Sequence, residues 1–157
     1  MPCYGSEQTV ATIRRAFEYV FVQAIQKGGG KPSLDLSPIE GEFNVNGTII
    51  EPVKVMHGRL HILGYRIGDF AYITDASRIP DPSMSQLRNL DTLVIGVIRH
   101  QPHETHFCVS EALEIIERLQ PRRAFFTHIA HKLGHEETNA ALPPHVRLAY
   151  DGLRIDL

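Results

Sequence analysis

The sequence predicts a layered α/β domain, on three observations. From position 48 onward, β-branched and aromatic runs follow one another closely. Toward the C-terminus such runs alternate with helical periodicity, and four of the runs lead to a histidine or an aspartate. The first two describe a sheet with helices packed on it. The third gathers ligand-type side chains toward the edge of that sheet.

The opening helix is expected from Ser6 to about Gln26, with Ser6 as its N-cap. Val10, Ile13, Phe17, Val20, Phe21 and Ala24 recur at helical spacing and form one apolar face. The run Lys27-Gly28-Gly29-Gly30-Lys31-Pro32 ends it. Those glycines resemble a phosphate loop, but no strand leads into them, so a helix stop or hinge is the expected role. Leu34 to Gly47, broken by proline, glycine and asparagine, reads as a loop with a short strand near Glu42 to Val45, or as a substrate arm.

Strands are expected at Thr48 to Val55, Leu60 to Ile67, Phe70 to Thr74 and Thr92 to Ile98. Gly68-Asp69 marks a hairpin between the second and third. Ser77 to Ser85 reads as a loop, with a short helix around Ser85 to Arg88. Ser110 to Leu119 is an amphipathic helix, with Ala112, Leu113, Ile116 and Leu119 on one face and Pro121 as its stop. A buried strand at Ala124 to Thr127 and a helix at Glu136 to Ala141 follow. A terminal hairpin around Asp151-Gly152 is expected to join Val146–Tyr150 to Leu153–Asp156.

The 157 residues, 43% of them hydrophobic, suffice for one domain with a core. A net charge of −2 provides no global attraction to nucleic acid or anionic membranes, so any phosphate affinity must come from a local site. The pairs Arg14-Arg15 and Arg122-Arg123 are expected on solvated faces. Cys3 and Cys108 suggest reduced thiols and a cytoplasmic protein. The apolar stretch from Val20 to Ile25 is too short to span a bilayer, and no secretory signal pattern opens the chain.

Nine histidines, seven of them after position 99, favour metal or proton-transfer chemistry. His57, Asp75 and His128 each end an apolar run, and His106 lies in the loop after Leu90 to Ile98. Imidazole nitrogens and a carboxylate suit zinc, manganese or iron. Each residue also has a plainer reading: Asp75 capping the next turn, His128 as a buried imidazole on a carbonyl, His57 in a turn before Gly58. His103 competes with His106 to face the site. His131 and His135 are spaced like a helical ligand pair, His131 being expected near substrate and His135 structural or exposed. His61 is expected on a sheet face away from the core, and His100 and His145 on the surface.

The run Gly68 to Ser77, the segment Thr127-His128-Ile129-Ala130-His131-Lys132-Leu133-Gly134-His135 and the closing Leu148-Ala149-Tyr150-Asp151-Gly152-Leu153 together resemble the metallo-β-lactamase fold. More narrowly, they resemble the phosphodiesterase branch that includes the cyclic phosphodiesterase of phosphonate breakdown. The resemblance implies that His57, Asp75 and His128 are metal ligands, Asp75 bridging two ions. It also implies that His106 stands beside the scissile phosphate as proton donor or transition-state stabiliser, with His131 and His103 facing substrate.

The family's HxHxDH motif is not spelled here, because no histidine precedes His57. The expectation is therefore a C-terminal portion of the αββα sandwich, a single incomplete domain with a helix and substrate-arm region at 1–47 and a sheet with helices at 48–157. Met1 to Gly5 would start a strand leading into a helix. Two zinc or manganese ions belong to the complete enzyme, which would hydrolyse a small phosphodiester of the cyclic kind. This chain alone should bind metal weakly, turn over negligibly and tend to form homodimers. A nuclease of the same fold, of the kind that processes transfer RNA 3′ ends, and a non-catalytic interaction module are the competing readings. The nuclease would be expected to carry a long basic arm, which Leu34 to Gly47 does not resemble.

Overall fold

The computed structural model describes residues 1–22 and 30–157, which form two compact units, Met1–Phe43 and Asn44–Leu157. In the first unit β1 (Pro2–Gly5) pairs in parallel with β2 (Asp35–Pro38), Cys3 opposite Leu36. The strand-to-helix opening implied by the resemblance is present. The loop expected over Leu34 to Gly47 instead contains β2, whose Leu36 is buried while Pro38 closes the strand where a lost donor matters least.

Ser6 caps α1 (Glu7–Ala16), its hydroxyl accepting from the Thr9 amide at 3.1 Å. The expected long helix is interrupted at Phe17 (φ −120°, ψ 40°), after which α2 spans Glu18–Phe21. The sequence after Ala16 is aromatic and β-branched, a weak helix former. Arg14 and Arg15 at the end of α1 are exposed, as expected, and Arg14 donates to the Leu36 carbonyl (3.2 Å) and lies over the Phe21 ring. The expected continuation to Gln26 and the stop at Gly28-Gly29 lie outside the described residues.

The second unit is built on a mixed sheet in the order β10-β9-β7-β6-β5-β4-β3, edged by β3 (Phe43–Val45). β4 (Thr48–His57), β5 (Leu60–Ile67) and β6 (Phe70–Ile73) form an antiparallel meander, joined by the turns at Gly58 and Gly68. β6, β7 (Thr92–Arg99), β9 (Arg123–Thr127) and β10 (Val146–Leu148) are parallel neighbours. Parallel pairing requires crossovers, supplied by α3 (Asp81–Gln86), α4 (Val109–Leu119) and α5 (His135–Ala141). A short β8 (Phe107–Cys108), not foreseen, pairs with the end of β7.

The core combines one sheet face, including Val53, Val55, Ile73, Leu93, Ile95 and Phe126, with Ala112, Ile115, Ile116 and Leu119 of α4 and Leu87 after α3. β7 is buried from Thr92 to Val97, as a central parallel strand must be. Two expectations for the second unit need correction. α3 begins four residues earlier than foreseen because Pro82 sits in its first turn, where proline's missing amide is harmless. The terminal hairpin does not form: β10 pairs with β9, and the Tyr150–Leu153 turn leads into an irregular tail, whose Asp156 carbonyl accepts from Arg123. Among the described residues no helix is long and apolar enough to cross a membrane.

At the amino edge of the parallel strands, Asp91 joins β7 to β9. Its carboxylate accepts from Arg122 and from the Thr92 hydroxyl (2.8 Å), and Arg123 lies 3.3 Å away. The Arg122-Arg123 pair is therefore part of a polar clasp. Hydrogen bonding from Arg122, then Thr92, lowers the Asp91 pKa from 3.8 to about 2. A carboxylate depressed in the folded state stabilises above its unfolded pKa, and that contribution fades as pH falls toward the folded value. The urea midpoint of Asp91→Asn should lie below wild type near neutrality, and the gap should close as pH drops from about 4 to about 2. A gap independent of pH would assign the effect to packing.

Candidate metal centre

Strand polarity decides which ends meet. β4 and β6 are both antiparallel to β5 and so run the same way, and β7 and β9 run parallel to β6. The carboxyl ends of these four strands therefore share one edge of the second unit. His57 is the last residue of β4, Asp75 lies two residues beyond β6, and His128 follows β9 directly. His103 and His106 sit on the loop after β7.

These side chains converge. His57, Asp75, His106 and His128 line one pocket of about 440 Å³ together with Ile62, Leu63 and Thr74. Asp75 Oδ1 is 3.1 Å from His128 Nε2 and 3.8 Å from His106 Nδ1. The His106 ring lies at the centre, with centroid distances of 4.8 Å to His57, 4.9 Å to His128 and 5.1 Å to His103. One donor atom from each of Asp75, His106 and His128 falls within 4.8 Å of the others, a spacing at which side chains can share an ion.

Protonation follows from the partners. His57 Nδ1 lies 2.9 Å from the Thr105 carbonyl oxygen, which only accepts, so Nδ1 carries the proton and the Nε2 lone pair is free. His103 Nδ1 accepts from the Thr105 amide at 3.3 Å. His106 Nδ1 is buried and has no hydrogen-bond partner; among the described residues no other buried side-chain nitrogen or oxygen lacks one. Burial, then the neighbouring His128, His57 and His103, lowers the His106 pKa below 6.5, while Asp75 opposes them. The imidazole is thus held neutral near pH 7, as a ligand or a neutral hydrogen-bond donor requires. The donor set and the unpartnered nitrogen both fit a divalent cation.

The backbone is strained where the donors sit. Asp75 (φ 55°) and His128 (φ 61°) both occupy the left-handed region, at a cost of about 1–3 kcal/mol each. The turn after Asp75 is stitched to the others: the Ala76 carbonyl accepts from the Phe107 amide (2.9 Å), and the Ser77 amide donates to the Met56 carbonyl (2.7 Å). The Ser77 hydroxyl accepts from the Gly58 amide at 3.0 Å.

Of the other expected residues, His103 lines an adjoining surface pocket with Arg99, Pro102, Glu104 and Thr105, so it faces the side of the cluster. His131 is exposed in the turn after β9 and does not line the main pocket. His131 precedes α5 while His135 begins it, so the two do not form a helical ligand pair. His61, His100, His135 and His145 are exposed.

Sequence reasoning did not single out Ser77, Thr105 or Gly96 as supports. Gly96 alone carried a signal, being a glycine inside a buried β-branched run, the usual mark of a close backbone approach. A Cβ at Gly96 would lie 3.2 Å from the Asp75 amide nitrogen and 3.3 Å from the Thr74 Cα. Gly96→Ala should push the Asp75 turn off β7 and lengthen the Asp75–His128 contact beyond 4 Å, the outer limit of an ion pair. Overpacking of this kind costs about 1–3 kcal/mol. A crystal structure of the variant with the contact still at 3.1 Å would refute this role.

Residues 1–129 match the β-lactamase superfamily domain family. The chain is similar to a crystal structure described as a new diphosphatase from the PhnP family, with 38% identity and a TM-score of 0.87 over 99% of this chain and 58% of that one. It is also similar to Zn(2+)-bound PqqB from Methylobacterium extorquens, with 14% identity and a TM-score of 0.72 over 100% of this chain and 65% of that one. The short form of human tRNase Z gives 13% identity and a TM-score of 0.65 over 99% and 67%. At these last two identities the likeness is one of fold. An octanoyltransferase of Porphyromonas gingivalis is 32% identical over 154 residues, 96% of this chain but 31% of that protein. The chain thus spans less than a third of the curated relative and less than two thirds of the diphosphatase. From its family match over residues 1–129 the chain belongs to the β-lactamase superfamily domain family, and its sheet and structural likeness give it the metallo-β-lactamase fold.

Proposed function

We propose that this chain is part of a metal-dependent hydrolase acting on a small phosphoric diester, with its reaction centre at the shared carboxyl edge of β4, β6, β7 and β9. The carrying observation is the convergence of His57, Asp75, His106 and His128 on one pocket, in a chain 38% identical to a diphosphatase. His57, through its free Nε2, with Asp75 and His128, holds metal in the complete protein. When bound, zinc or manganese ions supply Lewis acidity for a water nucleophile and neutralise charge on the phosphoryl oxygens.

His106, kept neutral by burial and its imidazole neighbours, offers an N–H to the departing oxygen. His103, at the rim, and His131, on the exposed turn, contact the substrate's non-reacting part. Ile62 and Leu63 leave room for an apolar group on one side. The match to the Porphyromonas gingivalis octanoyltransferase covers 31% of that protein, so its transferase name is not carried over to this pocket. The ligands that the family draws from an HxHxDH segment are not in this sequence, so turnover by these 157 residues alone should be negligible.

Fusing the chain to an upstream segment carrying HxHxDH should restore hydrolysis of bis-p-nitrophenyl phosphate in manganese or zinc. In that protein His106→Asn should lower kcat about a hundred- to ten-thousand-fold with a much smaller change in KM. A fused protein that binds two ions yet leaves phosphodiesters intact would disprove the reading.

A further inference from the structure

We infer that Thr105 is a positioning residue: its amide and hydroxyl both donate to His103 Nδ1, so that His103 presents an Nε2–H to an acceptor oxygen of the bound ester. The contact with the ester rests on the proposed hydrolase reading. The placement of the proton rests on this chain's own geometry.

A backbone amide can only donate, so a ring nitrogen bonded to it must be the acceptor. His103 Nδ1 is so placed, 3.3 Å from the Thr105 amide nitrogen, and the Thr105 hydroxyl stands at the same distance of 3.3 Å. With its lone pair turned to the amide, Nδ1 carries no proton, and the hydroxyl beside it is a second donor. The neutral ring then holds its proton on Nε2. The Thr105 carbonyl does the reverse for His57, accepting from Nδ1–H at 2.9 Å and leaving Nε2 unprotonated. One loop residue thus sets opposite tautomers in two histidines.

The surroundings fix Thr105 for both tasks. A Cβ at Gly58 would lie 3.1 Å from Thr105 Cγ2, so the glycine that turns β4 into β5 lets the threonine close on that turn. On the other side Arg99 donates to the carbonyls of Gln101 (3.1 Å) and Pro102 (2.7 Å), tying down the loop just before His103. Arg99, Pro102, His103, Glu104 and Thr105 wall a pocket of about 590 Å³, room for the organic half of a small ester. The His103 ring centroid is 5.1 Å from that of His106, so this pocket adjoins the reaction centre. A neutral donor there suits a hydroxyl or carbonyl oxygen outside the scissile bond.

The test is NMR of the 157-residue protein with ¹⁵N in its histidine rings, at about two pH units above the ordinary imidazole pKa. His103 should be protonated on Nε2 alone and His57 on Nδ1 alone. Thr105→Val should shift His103 Nδ1 and leave His57 in place, because the carbonyl that His57 uses is retained. Thr105→Ser, which restores the hydroxyl, should match wild type at both rings. A proton on His103 Nδ1, one tautomer shared by both rings, or a Thr105→Val spectrum with His103 unmoved would each overturn the inference. Should Thr105→Val fail to fold, the wild-type tautomers decide alone.

In the protein fused to an HxHxDH segment, His103→Asn keeps an oxygen to accept from the Thr105 amide but removes the Nε2–H. It should raise KM for p-nitrophenyl thymidine 5′-phosphate about three- to tenfold, with kcat within about twofold. For bis-p-nitrophenyl phosphate, which has neither hydroxyl nor carbonyl, KM should stay within about twofold. Equal effects on the two esters would overturn the substrate contact. A fused protein without hydrolysis would defeat the proposed function, and the contact with it, while leaving the tautomers intact; hydrolysis with His103 protonated on Nδ1 would do the reverse.

Discussion

Strand direction is the constraint on which the rest of this structure depends. Two reversals, β4 to β5 and β5 to β6, return the chain to its starting direction, and the helical crossovers preserve that direction through β7 and β9. Had any one of these connections been a tight hairpin instead of a crossover, its donor would have emerged at the opposite edge. The carboxyl edge of a parallel sheet is where loops are free to turn inward without breaking ladder hydrogen bonds. That is where His57, Asp75, His106 and His128 sit.

The two edges of the sheet are built for opposite purposes. At the amino edge, Asp91 is satisfied by arginines and a buried threonine, a clasp that favours the folded state. At the carboxyl edge, left-handed backbone at Asp75 and His128 and an unpartnered nitrogen on His106 work against it. The buried apolar face shared with α4 supplies the stability that tolerates this strain. Ser77, which ties the Asp75 turn to β4, and Thr105, which orients His57, spread the constraint over three loops.

The sheet was legible in the sequence because β-branched runs ending at turn residues are a local signal. β5 matches its expected span from Leu60 to Ile67, and α4 begins within a residue of its expected start. β2 and β8 were not legible: β2 is short and exists only through a partner strand distant in sequence, and β8 is only two residues long. The terminal hairpin expected at Asp151-Gly152 fails for the same reason, since pairing of β10 with β9 overrides the local turn signal.

At the site, the sequence pointed to the residues that meet but not to their grouping. His57, Asp75 and His128 stand out because apolar runs stop at them, yet whether His106 points at the carboxylate or at solvent depends on a loop closed by tertiary contacts. The pairing of Gly96 with the Asp75 turn is likewise a fact of packing. The most direct measurement is anomalous diffraction at the zinc absorption edge from crystals of this chain grown with zinc. A peak within bonding distance of Asp75 and His128 is the predicted result; a pocket without a peak, with zinc bound instead at exposed histidines such as His131 or His145, would contradict it.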